Sequence, residues 1–110
     1  MKISHDVYLI SDSTGDTLDR IFLALKAQFK NFEYKVHQYS FTRTQNQITK
    51  IVEKTKENNS PIILYTIVDS KLAKYLAKSS KKKNVPCFGV LGDLILNFSK
   101  LLNQKALHIP

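Results

Sequence analysis

The sequence predicts an α/β domain: a four-stranded parallel sheet of strand order 2-1-3-4 with helices on both faces. Short apolar runs alternate along the chain with amphipathic stretches of helical length, which is typical of repeated βα units. Two of these runs, residues 7–10 and 62–66, are apolar throughout, as in strands that are buried on both faces. With right-handed crossovers, these two strands lie in the middle of the sheet.

The first βα unit contains the stretch around which the other units are arranged. A polar loop, residues 11–17, separates the apolar run 7–10 from a helical apolar stripe that predicts a helix over about residues 14–29. Six of the seven loop positions carry a side-chain oxygen, whereas a helix cap needs only one. The pattern therefore favours an anion-binding loop at a helix N-terminus over a simple cap. The loop consists of Ser11, Asp12, Ser13, Thr14, Gly15, Asp16 and Thr17.

The second unit begins with an alternating strand over residues 34–41, and its mixed polarity predicts an edge position. Thr44 and Gln47 fit a capping box at the start of the second helix. The inner face of that helix is predicted to consist of Ile48, Ile51, Val52 and Thr55.

The third and fourth units follow the same plan. Asp69 or Ser70 is expected to cap the third helix, and Pro86 fits the start of a short fourth strand over residues 85–90. The predicted inner face of the third helix is Leu72, Ala73, Tyr75, Leu76 and Ala77. That of the fourth helix, which begins at Asp93, is Leu94, Ile95, Phe98, Leu101 and Leu102.

Ligands of such sheets bind outside the carboxyl ends of the strands, at the switch between the first and third strands. This rule brings together the loops 11–17, 66–70 and 89–93, with residues 42–44 beside them. Asp69 is interpreted as a helix cap. Asp12 directly follows a buried strand, where a carboxylate could hold Mg²⁺ beside a phosphate or orient a hydroxyl nucleophile. Besides the loop 11–17, the candidate binding residues at this edge are Thr66, Asp69, Gly89 and Gly92.

Composition excludes several classes of protein. The three glycines do not form a dinucleotide-binding fingerprint or a Walker A loop. The three histidines lack metal-ligand spacing, so no metal site is expected. The one cysteine, Cys87, excludes an intramolecular disulfide and is expected to be a buried structural thiol. Without a signal region or a membrane-length apolar run, we expect a cytoplasmic protein with no membrane partner.

The chain is basic, with 17 Lys and Arg against nine Asp and Glu and a formal charge of +8. Only Arg20 and Arg43 are arginines, whereas nucleic-acid readers usually carry more of them. The excess therefore indicates a solvated lysine surface with some affinity for anionic partners.

Four segments together resemble one protein family: residues 10–17 (ISDSTGDT), 41–44 (FTRT), 64–69 (LYTIVD) and 85–92 (VPCFGVLG). They are similar to the regulatory proteins of pyruvate, phosphate dikinase and of phosphoenolpyruvate synthase. The resemblance implies a bifunctional enzyme with one of these two enzymes as its partner. Such an enzyme phosphorylates a threonine of the target with ADP as donor, and removes the phosphate with inorganic phosphate, which releases pyrophosphate.

In this family a P-loop-like segment with a Gly-Lys-Thr core binds the nucleotide, and the present chain ends before it. The resemblance therefore implies that residues 1–110 form a single domain like the N-terminal part of the family. We expect it to bind no cofactor by itself and to be inactive alone, while ADP and phosphate act in the full-length family. The loop 11–17 and Arg43 are expected to contribute to phosphate or target recognition; catalytic residues are not identified. The sequence also leaves open whether the chain forms a homodimer through Phe98, Leu101, Leu102 and Leu107.

Two other classes stay open. A receiver-like signalling domain would carry a phosphoacceptor aspartate where Asp69 stands, but an acidic pair after the first strand and a fifth strand are missing from the sequence. A basic nucleic-acid-binding module would bind with a steep dependence on salt. The sequence favours the family resemblance over both alternatives.

Overall fold

The predicted sheet is confirmed in a computed structural model, which describes residues 3–110. Four parallel strands, β1 (Ser4–Ser11), β2 (Glu33–Tyr39), β3 (Pro61–Thr66) and β4 (Cys87–Gly89), lie in the order β2-β1-β3-β4. The two apolar strands are central and the alternating strand is at an edge, as predicted. Within the sheet, Val7 is in register with Val36 on one side and with Ile62 on the other.

Four helices connect and follow the strands: α1 (Asp16–Lys26), α2 (Gln45–Lys54), α3 (Ser70–Lys82) and α4 (Gly92–Leu102). The first is shorter than predicted at both ends. Gly15 has a left-handed backbone (φ 93°), which cannot continue a right-handed helix. After Lys26 the backbone tightens, since the amides of Gln28 and Phe29 bond to carbonyls three residues earlier.

The predicted caps of α2 and α3 are confirmed. Thr44 accepts a hydrogen bond from the amide of Gln47, whose side chain returns to the Thr44 amide, so the capping box is complete. The carboxylate of Asp69 accepts from the amides of Lys71 and Leu72. Each cap satisfies helix amides that have no partner within the helix.

One side of the sheet, here called the closed face, is covered by α2 and α3. The second helix buries its predicted stripe, whereas Ala77 of α3 is exposed, contrary to the prediction. The reason is that α3 rests on residues four apart, Leu72, Leu76 and Ser80, and position 77 turns away from that line. The buried cluster of the closed face comprises Tyr8, Ile10, Ile48, Ile51, Val52, Ile63, Ile67, Leu72, Leu76 and Val85.

The opposite side, here called the open face, is packed by α1. Its buried cluster is smaller: Val7, Leu9, Leu18, Phe22 and Leu64. The C-terminal part of the predicted α1 stripe is not buried, because Leu25 and Phe29 are 41% and 58% exposed. The open face therefore buries Leu18 and Phe22 of the α1 stripe and leaves its C-terminal part exposed.

The fourth helix contradicts its predicted burial. No residue of α4 is buried; Ile95 is half-buried, and Leu94, Phe98, Leu101 and Leu102 are exposed. The four exposed side chains recur at helical spacing, so α4 has an apolar stripe without a partner among the described residues. Amphipathic spacing predicts an apolar face on a helix, but it does not identify the surface that packs against that face. In residues 3–110 no helix is long and apolar enough to cross a membrane.

Candidate functional site

The loop between β1 and α1 lies at the carboxyl edge of the sheet. Ser11 is in register with Thr66 at the end of β3, and the next amide, of Asp12, donates to the Thr66 carbonyl at 3.2 Å. From the other side, the amide of Thr42 donates to the Ser11 carbonyl at 2.9 Å. The ends of β1 and β3 and the segment after β2 thus meet, where ligands bind in sheets of this type.

Asp12 is the buried carboxylate of this edge. Its Oδ2 accepts a hydrogen bond from the amide of Val68 at 2.8 Å, which ties the loop before α3 to the loop before α1. A buried carboxylate requires such donors, because its desolvation is otherwise costly. The bond gives Asp12 a structural role at the junction of the two loops.

Arg43 is fixed at the same junction. Its Nε donates to the backbone carbonyl of Asp12 at 2.8 Å, and its guanidinium lies 5.5 Å from the ring centre of Phe41. The residue is exposed, and the bond to Asp12 uses Nε rather than the two terminal amino groups. A guanidinium held in this way presents a planar pair of donors, which matches the oxygens of a phosphate or a carboxylate.

The side chains of the loop 11–17 divide into an inner and an outer set. Ser11 is buried, and its hydroxyl accepts from the amide of Ser13 at 3.1 Å. Together with Asp12 it is part of the core. The outer set is half-buried or exposed: Ser13, Thr14, Gly15, Asp16 and Thr17.

The N-terminus of α1 differs from those of α2 and α3. Its cap position is Gly15, which has no side chain, and an added Cβ would lie 3.4 Å from Ser40 Oγ. The Asp16 amide reaches Thr14 Oγ1 only at 3.4 Å. Ser40 holds the loop from outside by donating to the Thr14 carbonyl at 2.7 Å. The first turn of α1 is thus shaped by backbone contacts, with its hydroxyls left near the surface.

The remaining predicted site residues have separate roles. Thr66 is buried beside the β1 end, and Asp69 is occupied as the cap of α3. Gly89 is required by the ring of Tyr65, since an added Cβ would lie 2.7 Å from that ring. Gly92 begins α4 and has open space around it. The structure thus joins residues 11–17, Arg43 and Thr66 at one corner, with Asp69, Gly89 and Gly92 serving their own elements.

Sequence reasoning missed a cavity of about 620 Å³ between α3, α4 and the chain end. Lys74, Lys105 and His108 are among its lining residues, and the His108 imidazole Nδ1 lies 2.6 Å from the Val68 carbonyl oxygen. No pattern in the sequence signals this return of the chain. The contact between the Arg43 guanidinium and the Phe41 ring was also not predicted; Phe41 has a left-handed backbone (φ 52°), which is uncommon outside glycine.

The corner combines one exposed cation with hydroxyl groups. Among residues 3–110, no group of three or more His, Cys, Asp or Glu side chains is arranged to hold a metal ion. Arg43 supplies positive charge, and the outer loop supplies hydroxyls beside the positive end of a helix. The arrangement can contact an anion at the sheet edge.

Comparison with known proteins decides the family. A family model described as kinase/pyrophosphorylase matches residues 7–110, nearly the whole chain. The chain belongs to this family. The resemblance seen in residues 10–17, 41–44, 64–69 and 85–92 is thereby confirmed.

Individual relatives agree with the family model. The chain is 63% identical over all of its 110 residues to a pyruvate, phosphate dikinase regulatory protein of Pelagibacter ubique, and covers 40% of that protein. It is 37% identical over 100 residues to a protein of the same name from Chelativorans sp., with 91% of the chain and 36% of the relative covered. For a third, from Geotalea uraniireducens, the identity is 32%, with 87% and 35% covered. The chain thus spans about two-fifths of the length of these relatives.

Proposed function

We propose that the chain takes part in the phosphoryl transfer that regulates pyruvate, phosphate dikinase, and that its β1–α1 corner receives a phosphoryl group. In the proposed reactions a threonine of the target is phosphorylated with ADP and freed again with inorganic phosphate. The chain contributes recognition of phosphate or target. Nucleotide chemistry belongs to further polypeptide of the kind that the longer relatives have.

One observation carries the proposal: the Nε bond of Arg43 to the Asp12 carbonyl. The bond orients an exposed guanidinium at the carboxyl edge of the sheet, directly beside the loop 11–17. Oriented guanidinium groups bind phosphate through two parallel hydrogen bonds, and their fixed geometry reduces the entropy lost on binding.

The loop itself supports the same assignment. The hydroxyl-bearing residues Thr14 and Thr17 are exposed around the start of α1, where the helix dipole favours negative charge. Arg43 donates to the backbone carbonyl of Asp12, and the Asp12 side chain accepts a hydrogen bond from the Val68 amide through Oδ2. The carboxylate therefore supports the corner from within.

The geometry offers less support for a receiver-like domain. Asp69 is exposed, but one of its carboxylate oxygens accepts hydrogen bonds from two amides at the start of α3. Phosphorylation there would disrupt a helix cap. The family membership favours the dikinase, or the related phosphoenolpyruvate synthase, as the partner, and we propose a cytoplasmic setting for both proteins.

The test is a titration of the ¹⁵N-labelled chain with inorganic phosphate, pyrophosphate and a phosphothreonine peptide, followed by NMR. We expect amide shifts confined to residues 13–17 and 41–43 and a shift of the Arg43 Nε signal. Replacement Arg43→Lys keeps the charge but removes the fork, so affinity should fall by about fivefold or more.

Arg20→Lys is the matched control, since Arg20 is the other arginine of the chain and is also exposed. It should leave affinity unchanged. Absence of shifts at the corner, or equal losses in both variants, would refute the proposed site. ADP-dependent phosphorylation of a dikinase threonine by residues 1–110 alone would refute the proposed division of labour.

A further inference from the structure

The open face of the sheet is covered over only part of its width. Neighbouring strands lie about 4.8 Å apart, so four strands extend over roughly 15–19 Å, whereas a helix with its side chains is about 10–12 Å wide. Among residues 3–110, two helices cover the closed face and one helix, α1, packs on the open face. The geometry leaves room for one more helix beside α1, over β3 and β4.

A groove lies at this position. It has a volume of about 360 Å³ and runs between α1 and the strands β3 and β4. Eight of its nine lining residues are apolar and none is charged: Val7, Phe22, Leu25, Phe29, Asn31, Phe32, Ile62, Leu64 and Phe88.

The walls of the groove are unusually exposed for such residues. Phe29 on one wall is 58% exposed, and Phe88 on the other is 56% exposed. An apolar groove with an exposed aromatic ring on each wall suits the apolar face of another element. The adjacent residue Cys87 is in register with Ile63, on the closed face, so the pleat of β4 places Phe88 on the open face.

We propose that this groove is the docking site for one amphipathic helix of the polypeptide that the longer relatives have outside the matched region. The relatives are about two and a half times as long as the chain, since the chain covers 40% of the Pelagibacter ubique protein. An apolar lining without charge selects a helix with apolar residues at i, i+3 or i+4, and i+7. Such a helix completes the second cover of the sheet.

Two other occupants fit the structure less well. A second copy would bring two chains of formal charge +8 together, and their mutual repulsion opposes this contact. The chain's own α4 lies elsewhere, because Gly92, Ile95 and Leu96 line the cavity shared with α3. The groove is therefore free for a helix from outside the matched region.

The test uses cysteine accessibility in two proteins. One is the 110-residue chain; the other is the full-length Pelagibacter ubique relative with its matched region replaced by this chain. Both carry Cys87→Ser, so that the native thiol does not react, and one reporter on each wall, Phe29→Cys or Phe88→Cys. Leu23→Cys is the matched control, since Leu23 lies outside the groove on α1 and is 59% exposed.

Maleimide labelling is followed by mass spectrometry at each reporter. In the isolated chain all three reporters should react at similar rates. In the full-length protein both groove reporters should react about tenfold or more slowly, while the control keeps its rate. Unchanged labelling of the groove reporters in the full-length protein would overturn the proposal. Protection that appears in the isolated chain as its concentration rises would overturn it in favour of a second copy.

Discussion

The two faces of the sheet are built from the same strands but differ in how completely helices cover them. Ile62 and Ile63 are neighbours on β3; Ile63 is fully buried on the closed face, and Ile62 lines the groove of the open face. Both residues are isoleucines on the same strand, so their different burial comes from the helices that cover the two faces. A strand that is apolar on both sides indicates that both faces of the sheet are covered. Here α2 and α3 cover the closed face, and α1 covers part of the open face.

The largest expected difference in stability is between alanine substitutions at these two neighbouring positions. Ile63→Ala removes fully buried methyl groups and should lower the free energy of unfolding by about 3 kcal/mol. Ile62→Ala removes partly exposed groups and should cost no more than about 1.5 kcal/mol. Urea denaturation of both variants provides the measurement. Equal losses would mean that the two faces are equally closed.

The next contrast concerns the two glycines beside β4. Gly89→Ala places a methyl group against the Tyr65 ring on the closed face and should destabilise the fold by about 1–3 kcal/mol. Gly92→Ala adds a methyl group in open space at the start of α4, so it should be neutral or slightly stabilising. Thermal melts distinguish the two outcomes, and a neutral Gly89→Ala variant would argue against close packing at Tyr65.

A smaller effect separates the helix starts. Thr44→Ala removes the capping box of α2, a helix of the closed face, and should cost about 1 kcal/mol. Thr14→Ala, at the start of α1 on the open face, removes only a long contact to the Asp16 amide and should cost less than about 0.5 kcal/mol. Denaturation midpoints of both variants test this, and the reverse order would show that Thr14 is the stronger cap.

The smallest effect is a loss of stability in alkali that arises on the closed face. Desolvation raises the pKa of Cys87 above its ordinary value of 9.0, and burial likewise raises the pKa of Tyr8 and of Tyr65 above 10.0. The native state therefore holds these protons more tightly than the unfolded state, so stability is full below about pH 9 and falls as pH rises through the native pKa values.

Urea midpoints of the parent chain and of a Cys87→Ser, Tyr65→Phe variant, measured between pH 8 and pH 10, provide the check. The parent should lose more stability over this range than the variant. Parallel profiles would show that neither group is desolvated in the native state.

Much of the fold followed from local patterns. The two apolar runs identified the central strands, and the alternating run identified the edge strand, because burial on one or two faces leaves a direct trace in a strand sequence. The capping box at Thr44 and the cap at Asp69 were likewise readable, since each depends on residues close together in the chain. The capping role assigned to Asp69 in the sequence is what the structure shows.

Other features depend on contacts that a local pattern does not contain. The stripe of α4 predicted burial, but the covering surface is not supplied by residues 3–110. Within the loop 11–17 the residue types are alike, so nothing local separated the buried Ser11 and Asp12 from the exposed Thr14, Asp16 and Thr17. The Arg43–Asp12 bond joins residues from two βα units, and only the assembled sheet brings them together.

The pairing of β1 also has a consequence for the order of assembly during synthesis. β1 pairs with β2 on one side and with β3 on the other, and both partners come later in the chain, so β1 leaves the ribosome before either partner and has its second neighbour only once β3 has been made. Until then, one edge of a strand with the apolar run Val7–Ile10 stands open to other chains. Shielding by the ribosome or a chaperone at that stage should therefore matter more for this domain than for one whose first strand closes a local hairpin.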